Sequence, residues 1–288
     1  MNRLYAERFP YAVSRVLVYL AAAILLAVIF TPFMWMLGTS LKPFSEVFKR
    51  PYNPFPQRVD FSNYVRLFKS ISEGGYRYTF FLYMFNTVKI ALFTCLGSLI
   101  TSSMAAYAFA RLRFPGRDVL FMAYLATLMV PRHVVLIPNF IMLKAVGLYD
   151  SHLALILTGV FTAYGTFLMR QFFLTIPRDL EEAAVIDGYG YAARFVKIIL
   201  PLAKPALTTL SIITLLNIWN EYLYALIFIN TDAKRTLTLG LSLLRGDLDV
   251  QWNLVMAATT LSVLPLIAAF LLLQRFFIEG IALTGIKE

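Results

Sequence analysis

Six apolar runs, each about twenty residues or longer, divide this chain: 13–37, 81–110, 119–143, 153–174, 206–229 and 254–277. Crossing roughly 30 Å of hydrocarbon takes about twenty helical residues. In that medium every backbone polar group must be satisfied internally, and a helix does so within its own segment. The runs therefore predict an all-α integral membrane protein with six transmembrane helices. Charged residues are 15% of the 288, against about a quarter of a globular chain. Hydrophobic residues are 59%, and twenty-five Phe and sixteen Tyr supply the aromatic load found at membrane interfaces.

The first run follows Arg3, Arg8 and Arg15 and resembles a signal peptide only superficially. Its apolar core exceeds the about 7–15 residues of a signal core, and no small-residue cleavage site follows it. It reads as a retained signal-anchor helix. The formal charge of +10 raises nucleic acid as a partner, but the basic residues stand at the ends of apolar runs, where membrane topology accounts for them. The expected partner is the lipid bilayer, with no nucleic acid. The single cysteine, Cys95, lies inside an apolar run, so no disulfide framework and no metal cluster is expected.

Loop charge sets the orientation. The short loop 110–118 carries Arg111, Arg113 and Arg117, whereas 145–152 carries no Lys or Arg. The positive-inside rule places the arginine loop in the cytoplasm, and six crossings then put both termini there too. The basic loop 39–80 would be external, but loops that long count for less. It is proline-rich and reads as a cap or irregular segment. A second external loop, 230–252, holds an apolar stretch at 236–241 and then Arg245-Gly246-Asp247. It either folds back toward the pore mouth, meets a partner, or simply joins two helices.

Between the fourth and fifth runs lies EEAAVIDGYGYAARFVKIILPLAKP, residues 181–205. Pro177 followed by Asp179, Glu181 and Glu182 suits a first helical turn, where carboxylates meet the positive end of the macrodipole. Ala183, Ala184, Val185 and Ile186 are small or apolar, as docking into a groove requires. Gly188 is placed to take a left-handed conformation and stop the helix. A second short helix over 191–200 would end at Pro201 and Pro205.

The order Glu182-Ala183-Ala184, Gly188, Ile198, Leu200-Pro201 resembles the EAA loop of binding-protein-dependent ABC importer permeases. Further resemblances run from about residue 81 to the end. They include Ala105 to Arg111 with Phe114-Pro115-Gly116-Arg117, Trp219-Asn220, Gln274 to Gly280, and Gly285-Ile286-Lys287. These are most similar to carbohydrate permeases, in particular the six-helix inner-membrane subunit of the maltose permease. The resemblance implies a cytoplasmic coupling helix between helices four and five, with Glu181, Glu182, Ala183, Ala184, Asp187 and Gly188 contacting an ATPase. It implies an N-terminal part over 1–80, a transmembrane domain over 81–277 and a cytoplasmic tail over 278–288. The partners implied are a second permease subunit, an ATPase dimer holding ATP and Mg, and an external solute-binding protein. The setting implied is the inner (plasma) membrane, with multiple passes. The function implied is carbohydrate uptake without enzymatic chemistry or a cofactor in this chain. Glycerol-3-phosphate or another small solute is the alternative cargo.

The chain carries no Gly-Lys dipeptide, and so no phosphate loop of the usual form. HExxH, CxxC, GxSxG and GxGxxG are absent as well. A stand-alone secondary transporter would show paired inverted halves, which one large asymmetric loop does not suggest.

Polar groups at membrane depth mark a path or an interface. Arg132 lies about 20 Å from the inner end of the third run at 1.5 Å per residue, beside Pro131 and ahead of Pro138, which should kink or break that helix. It either reaches sugar hydroxyls or an anionic solute, or snorkels to the outer interface. Asn217, Asn220 and Glu221 share nearly one helical face, flanked by Trp219 and Tyr222. They read as substrate contacts or as glue between subunits. Tyr164, Ser102 and Ser103 are further pore-lining candidates.

Overall fold

The computed structural model describes residues 3–68, 80–245 and 250–284, with side chains described for 15–68, 80–245 and 250–274. The side chains of Arg3, Arg8 and Arg275–Gly280, the pair Gly246-Asp247, and the closing Gly285-Ile286-Lys287 lie outside them. The helices are α1 (Arg3–Ser40), α2 (Phe44–Val47), α3 (Ser62–Phe68), α4 (Phe80–Arg111), α5 (Arg117–Ala126), α6 (Leu136–Ala145), α7 (His152–Val160) and α8 (Ala163–Thr175). They continue with α9 (Asp179–Ile186), α10 (Tyr191–Arg194), α11 (Leu200–Leu202), α12 (Lys204–Trp219), α13 (Leu223–Phe228), α14 (Leu237–Leu243) and α15 (Trp252–Thr284). No strand occurs among the described residues.

Four helical stretches are long and apolar enough to span a membrane unaided: Arg15–Ser40, Phe80–Arg111, His152–Thr175 and Trp252–Gln274. A fifth arises if Tyr191–Leu202 and Lys204–Trp219 count together, although the chain bends 76° between them. The bend falls between Pro201 and Pro205, the pair at which the second loop helix is expected to end, with the helix two residues longer than 191–200. That helix runs from α10 through a π-helical turn at Phe195–Ile199 into α11; the turn comes at Ala203.

Three predicted runs are not single helices; the 153–174 run is interrupted at Phe161 and Thr162, both extended, between α7 and α8. The 119–143 run splits between a 3-10 turn at Thr127–Met129 and α6. Val130 is extended there, at φ −84 and ψ 115, as the residue before a proline prefers. Pro138 breaks nothing, because it sits in the first turn of α6, where its missing amide is tolerated. The 206–229 run splits at Asn220–Tyr222, between α12 and α13.

The chain forms two compact units, Met1–Lys69 with Leu244–Leu261 and Ser70–Leu243 with Ser262–Glu288. In the first, every side chain from 15 to 35 of α1 is exposed and most are apolar. A helix apolar on all sides belongs in hydrocarbon or against another apolar surface. Its end is held by polar contacts. Buried Asn63 donates to the carbonyls of Ser40 and Lys42 at 2.8 and 2.9 Å, and receives the Asn253 amide at 2.7 Å.

In the second unit α4 packs along α7, α8 and α12. One apolar cluster surrounds Ile90 and Ala91 with Leu155, Tyr224 and Phe228, and another surrounds Ala106, Tyr107 and Ala110 with Phe173 and Ile199. Between them α4 presents the small side chains Thr94, Ser98 and Ser102, all buried. Ser103, the other serine singled out with Ser102, is buried as well. Close approach is the reason for Gly165: a Cβ there would lie 2.5 Å from Ser102 Oγ. The 236–241 stretch folds back onto the bundle. Leu237 N donates to Thr87 Oγ1 at 2.8 Å, Asn86 Nδ2 donates to the carbonyls of Ala233 and Arg235, and α14 packs on α4.

Candidate functional site

Two constellations stand out in the second unit. The first is a cavity of about 460 Å³ bordered by all three interrupted segments of the bundle. Val130, Pro131 and Arg132 come from the break after α5, Phe161 and Thr162 from the break between α7 and α8, and Asn217, Ile218 and Tyr224 from either side of the break after α12. Tyr164, Asn139, Thr158 and Thr214 add further polar groups to the wall. Hydroxyls take up part of the backbone freed at these breaks. Thr101 donates to the Val160 carbonyl at 2.7 Å, and the Thr162 hydroxyl caps α8 by accepting from Gly165 N at 3.3 Å.

Arg132 and Glu221 join two of these breaks. Arg132 Nη1 lies 3.1 Å from Glu221 Oε2, with the guanidinium 4.5 Å over the Tyr224 ring. Tyr224 in turn donates its hydroxyl to the Arg132 carbonyl at 3.0 Å and its amide to Glu221 Oε1 at 3.0 Å. Thr238 closes the network by donating to the Glu221 carbonyl at 2.7 Å. Arg132 keeps 41% of its side chain exposed, so it both anchors Glu221 and faces the cavity.

Of the six residues predicted along a substrate path, Arg132, Tyr164 and Asn217 meet at this cavity. Glu221 stands behind Arg132 as its counter-ion. Trp219 is buried, and the Asn220 amide turns back to the Leu216 carbonyl at 2.8 Å. Neither borders the cavity, because the helix ends at Trp219 and the shared face ends with it.

The second constellation is the 179–205 segment. α9 carries Asp179, Glu181 and Glu182 in its first turn. Gly188 takes φ +80, and Gly188 N→Val185 O (3.0 Å) with Tyr189 N→Ala184 O (2.8 Å) forms the paired closure of a Schellman turn. The six residues assigned to partner contact divide by exposure. Glu182, Ala183, Asp187 and Gly188 are exposed, with Ile186 and Val185 beside them, whereas Glu181 and Ala184 are buried. Glu181 faces inward to Arg111, with Nε 3.1 Å from Oε1 but not in hydrogen-bonding orientation, and accepts from the Tyr107 hydroxyl at 3.2 Å. Arg111 Nη2 also donates to the carbonyls of Phe173 at 2.5 Å and Ile176 at 2.6 Å, the open C-terminal end of α8. In the sequence Arg111 enters through topology and through the resemblance at 105–117, without a partner. Its partners lie 62 to 70 residues away in the chain, beyond the reach of any local pattern.

Outside the spans, Asp150 ties two loops together at φ +55. Burial alone would raise its pKa, but the Thr231 hydroxyl and amide, the Lys234 ammonium and the Asn230 amide outweigh burial and hold the carboxyl well below the usual carboxylate range. Among the described residues, no three His, Cys, Asp or Glu side chains group so as to hold a metal.

Residues 97–282 match the family described as binding-protein-dependent transport system inner membrane component. The chain belongs to that family. The permease is 33% identical over 279 residues to the arabinooligosaccharides transport system permease protein AraQ of Bacillus subtilis (strain 168), covering 96% of this chain and 97% of the relative. It is 34% identical over 259 residues to the sn-glycerol-3-phosphate transport system permease protein UgpE of Pectobacterium atrosepticum, covering 89% and 92%. A chain in the crystal structure of a bacterial ABC transporter involved in the import of the acidic polysaccharide alginate matches it with a TM-score of 0.81. There the identity is 25%, with 96% of this chain and 99% of that chain covered. The resemblance carried by 181–205 therefore holds. This permease is a multi-pass inner-membrane protein and a transport subunit, not an enzyme.

Proposed function

We propose that this permease is one half of the membrane pore of a carbohydrate ABC importer. It takes up a saccharide delivered by an external solute-binding protein, driven by ATP and Mg on separate ATPase subunits, and pairs with a second permease subunit. The observation that carries this reading is the meeting of Arg132, Tyr164 and Asn217 on one cavity. Guanidinium and amide groups hydrogen-bond sugar hydroxyls while a phenol ring stacks on the C–H face of a sugar. The arabinooligosaccharide relative supports the same cargo class.

In this reading there are six crossings: α1, α4, the broken 117–145 segment, α7 with α8, α12 with α13, and α15. The arginine loop and both termini are cytoplasmic, 81–277 is the transmembrane domain and 278–288 is a tail. α9 is the coupling helix. Its exposed face, with Glu182, Ala183, Asp187 and Gly188 beside apolar Val185 and Ile186, docks into the ATPase. Buried Glu181 and Ala184 hold it to the bundle.

The test is uptake of radiolabelled arabino-oligosaccharide by vesicles holding the complete importer. Accumulation should need ATP and binding protein, and Asn217→Ala should lower uptake per assembled complex. Uptake by the isolated chain on an ion gradient would refute the importer reading in favour of a secondary transporter. Glycerol-3-phosphate remains a second cargo, favoured by the Pectobacterium relative and by the half-exposed Arg132 guanidinium. Uptake of that anion in place of the sugar would decide for it.

A further inference from the structure

We infer that Arg111, with Glu181 and Tyr107, is a positioning device that makes the loop helix α9 move as one body with α4 and α8. The inference rests on the proposed docking of α9 to an ATPase. Three elements meet at one guanidinium. Arg111 closes α4, its Nη2 takes the last carbonyls of α8, and its Nε side faces Glu181 in the first turn of α9.

The node is dry. The Arg111 and Glu181 side chains are only 4% and 9% exposed. An ion pair at the surface would be screened and replaceable by water. Here, separating α9 from α4 would leave an uncompensated charge in an apolar setting, which is strongly disfavoured. The adjoining cluster excludes water: Ala106, Tyr107, Ala110 and Phe173 pack with Ile199, and the Tyr107 ring lies 5.0 Å from that of Phe195 in the second loop helix. Both loop helices are thus fastened to the same end of α4.

The consequence for transport follows from where the fastened helices lead. The far end of α8 begins with Ala163 and Tyr164, both on the cavity wall. A push on the exposed face of α9 reaches that wall through α8, about 13 residues or roughly 20 Å of rigid helix. Glu182, exposed and next in sequence, meets the partner, whereas Glu181 meets the bundle. The neighbouring carboxylates divide the two tasks.

The test needs no knowledge of the cargo. In the complete importer, with Cys95→Ser, a cysteine at Asn217 reports wetting of the cavity through its labelling rate by a small charged thiol reagent. The rate is compared without nucleotide and with ATP plus vanadate. The intact node should give a labelling ratio between the two states of about tenfold, within the usual range of coupling between sites. Glu181→Gln should bring the ratio close to one while the complex stays assembled and hydrolyses ATP. Tyr107→Phe should give an intermediate ratio, and Glu181→Asp should restore most of it. The inference is overturned if Glu181→Gln and Tyr107→Phe both keep the full ratio. It is equally overturned if Glu181→Gln merely fails to assemble while Tyr107→Phe switches normally, since the node would then only hold the fold. If a cysteine at Glu182 cannot be cross-linked to the ATPase in the otherwise unaltered complex, the docking itself is refuted.

Discussion

Replacing Gly188 separates two reasons why the loop turn has to be glycine. One reason is backbone conformation, since φ is +80 and the turn is closed by Gly188 N→Val185 O and Tyr189 N→Ala184 O. The other would be space. Within this chain there is ample room, because a Cβ at 188 meets nothing within 4 Å. Gly188→Ala therefore costs only the left-handed conformation, about 1–2 kcal/mol. That is a factor of roughly 5–30 between this turn and a competing loop conformation. Asn tolerates the left-handed region better than Ala although it is larger. Proline fixes φ near −65° and removes the amide that bonds Val185, so it cannot form this turn. If the backbone governs coupling, ATP hydrolysis stimulated by loaded binding protein, and uptake, should decline in the order Gly, Asn, Ala, Pro. Membrane insertion should be unchanged throughout, because the position is exposed. If crowding in the partner's cleft governs instead, Asn should be worse than Ala. Full coupling in Gly188→Pro would refute any mechanical role for the turn.

Other consequences can be checked on the same material. Asp150, with its depressed pKa, should hold the 230–234 loop fully above about pH 4, the ordinary carboxylate range. That protection should be lost only as pH falls further, through the lowered folded value. Amide exchange at Asn230 and Thr231 reads this out, and Asp150→Asn should weaken the protection above about pH 4 and flatten its pH dependence. Gly165→Ala should destabilise the bundle by about 1–3 kcal/mol through overpacking, since its Cβ would fall 2.5 Å from Ser102 Oγ. A Ser102→Gly background should relieve part of that loss in thermal denaturation of the complex. Equal losses in both backgrounds would show that the two residues do not share the contact.

Local chemistry was legible in the sequence and distant pairing was not. Gly188 could be assigned its conformation because a Schellman closure spans only six residues, all in view. Pro131 announced a break because a proline acts on the residue just before it. The Asn220–Tyr222 break carries neither proline nor glycine, and its stabilising groups include Thr238 in α14, sixteen residues or more away. For the same reason Asn220 was placed on one face with Asn217: helical periodicity was extended past the point where the helix stops. Arg132 and Glu221 were both singled out, but as separate candidates, since no pattern joins residues 89 positions apart. Arg111 reads in the sequence as a charge at a helix end, whereas in the structure it also donates two hydrogen bonds to the end of α8 and pairs with Glu181.

The breaks and the cavity have one physical cause. Irregular backbone at membrane depth needs partners for its freed amides and carbonyls, and finds them only in a protein interior or beside water. The segments at 130–135, 161–162 and 220–222 all border the same cavity or its Arg132–Glu221 wall. Hydroxyls of Thr101, Thr162, Tyr224 and Thr238 take up part of what the breaks release. Such hydroxyls would be a liability facing lipid, and so would a half-exposed arginine. Their concentration here gives the interrupted helices the polar wall of the cavity. The continuous helix α4, joined at Arg111 to α8 and α9, runs unbroken beside those segments.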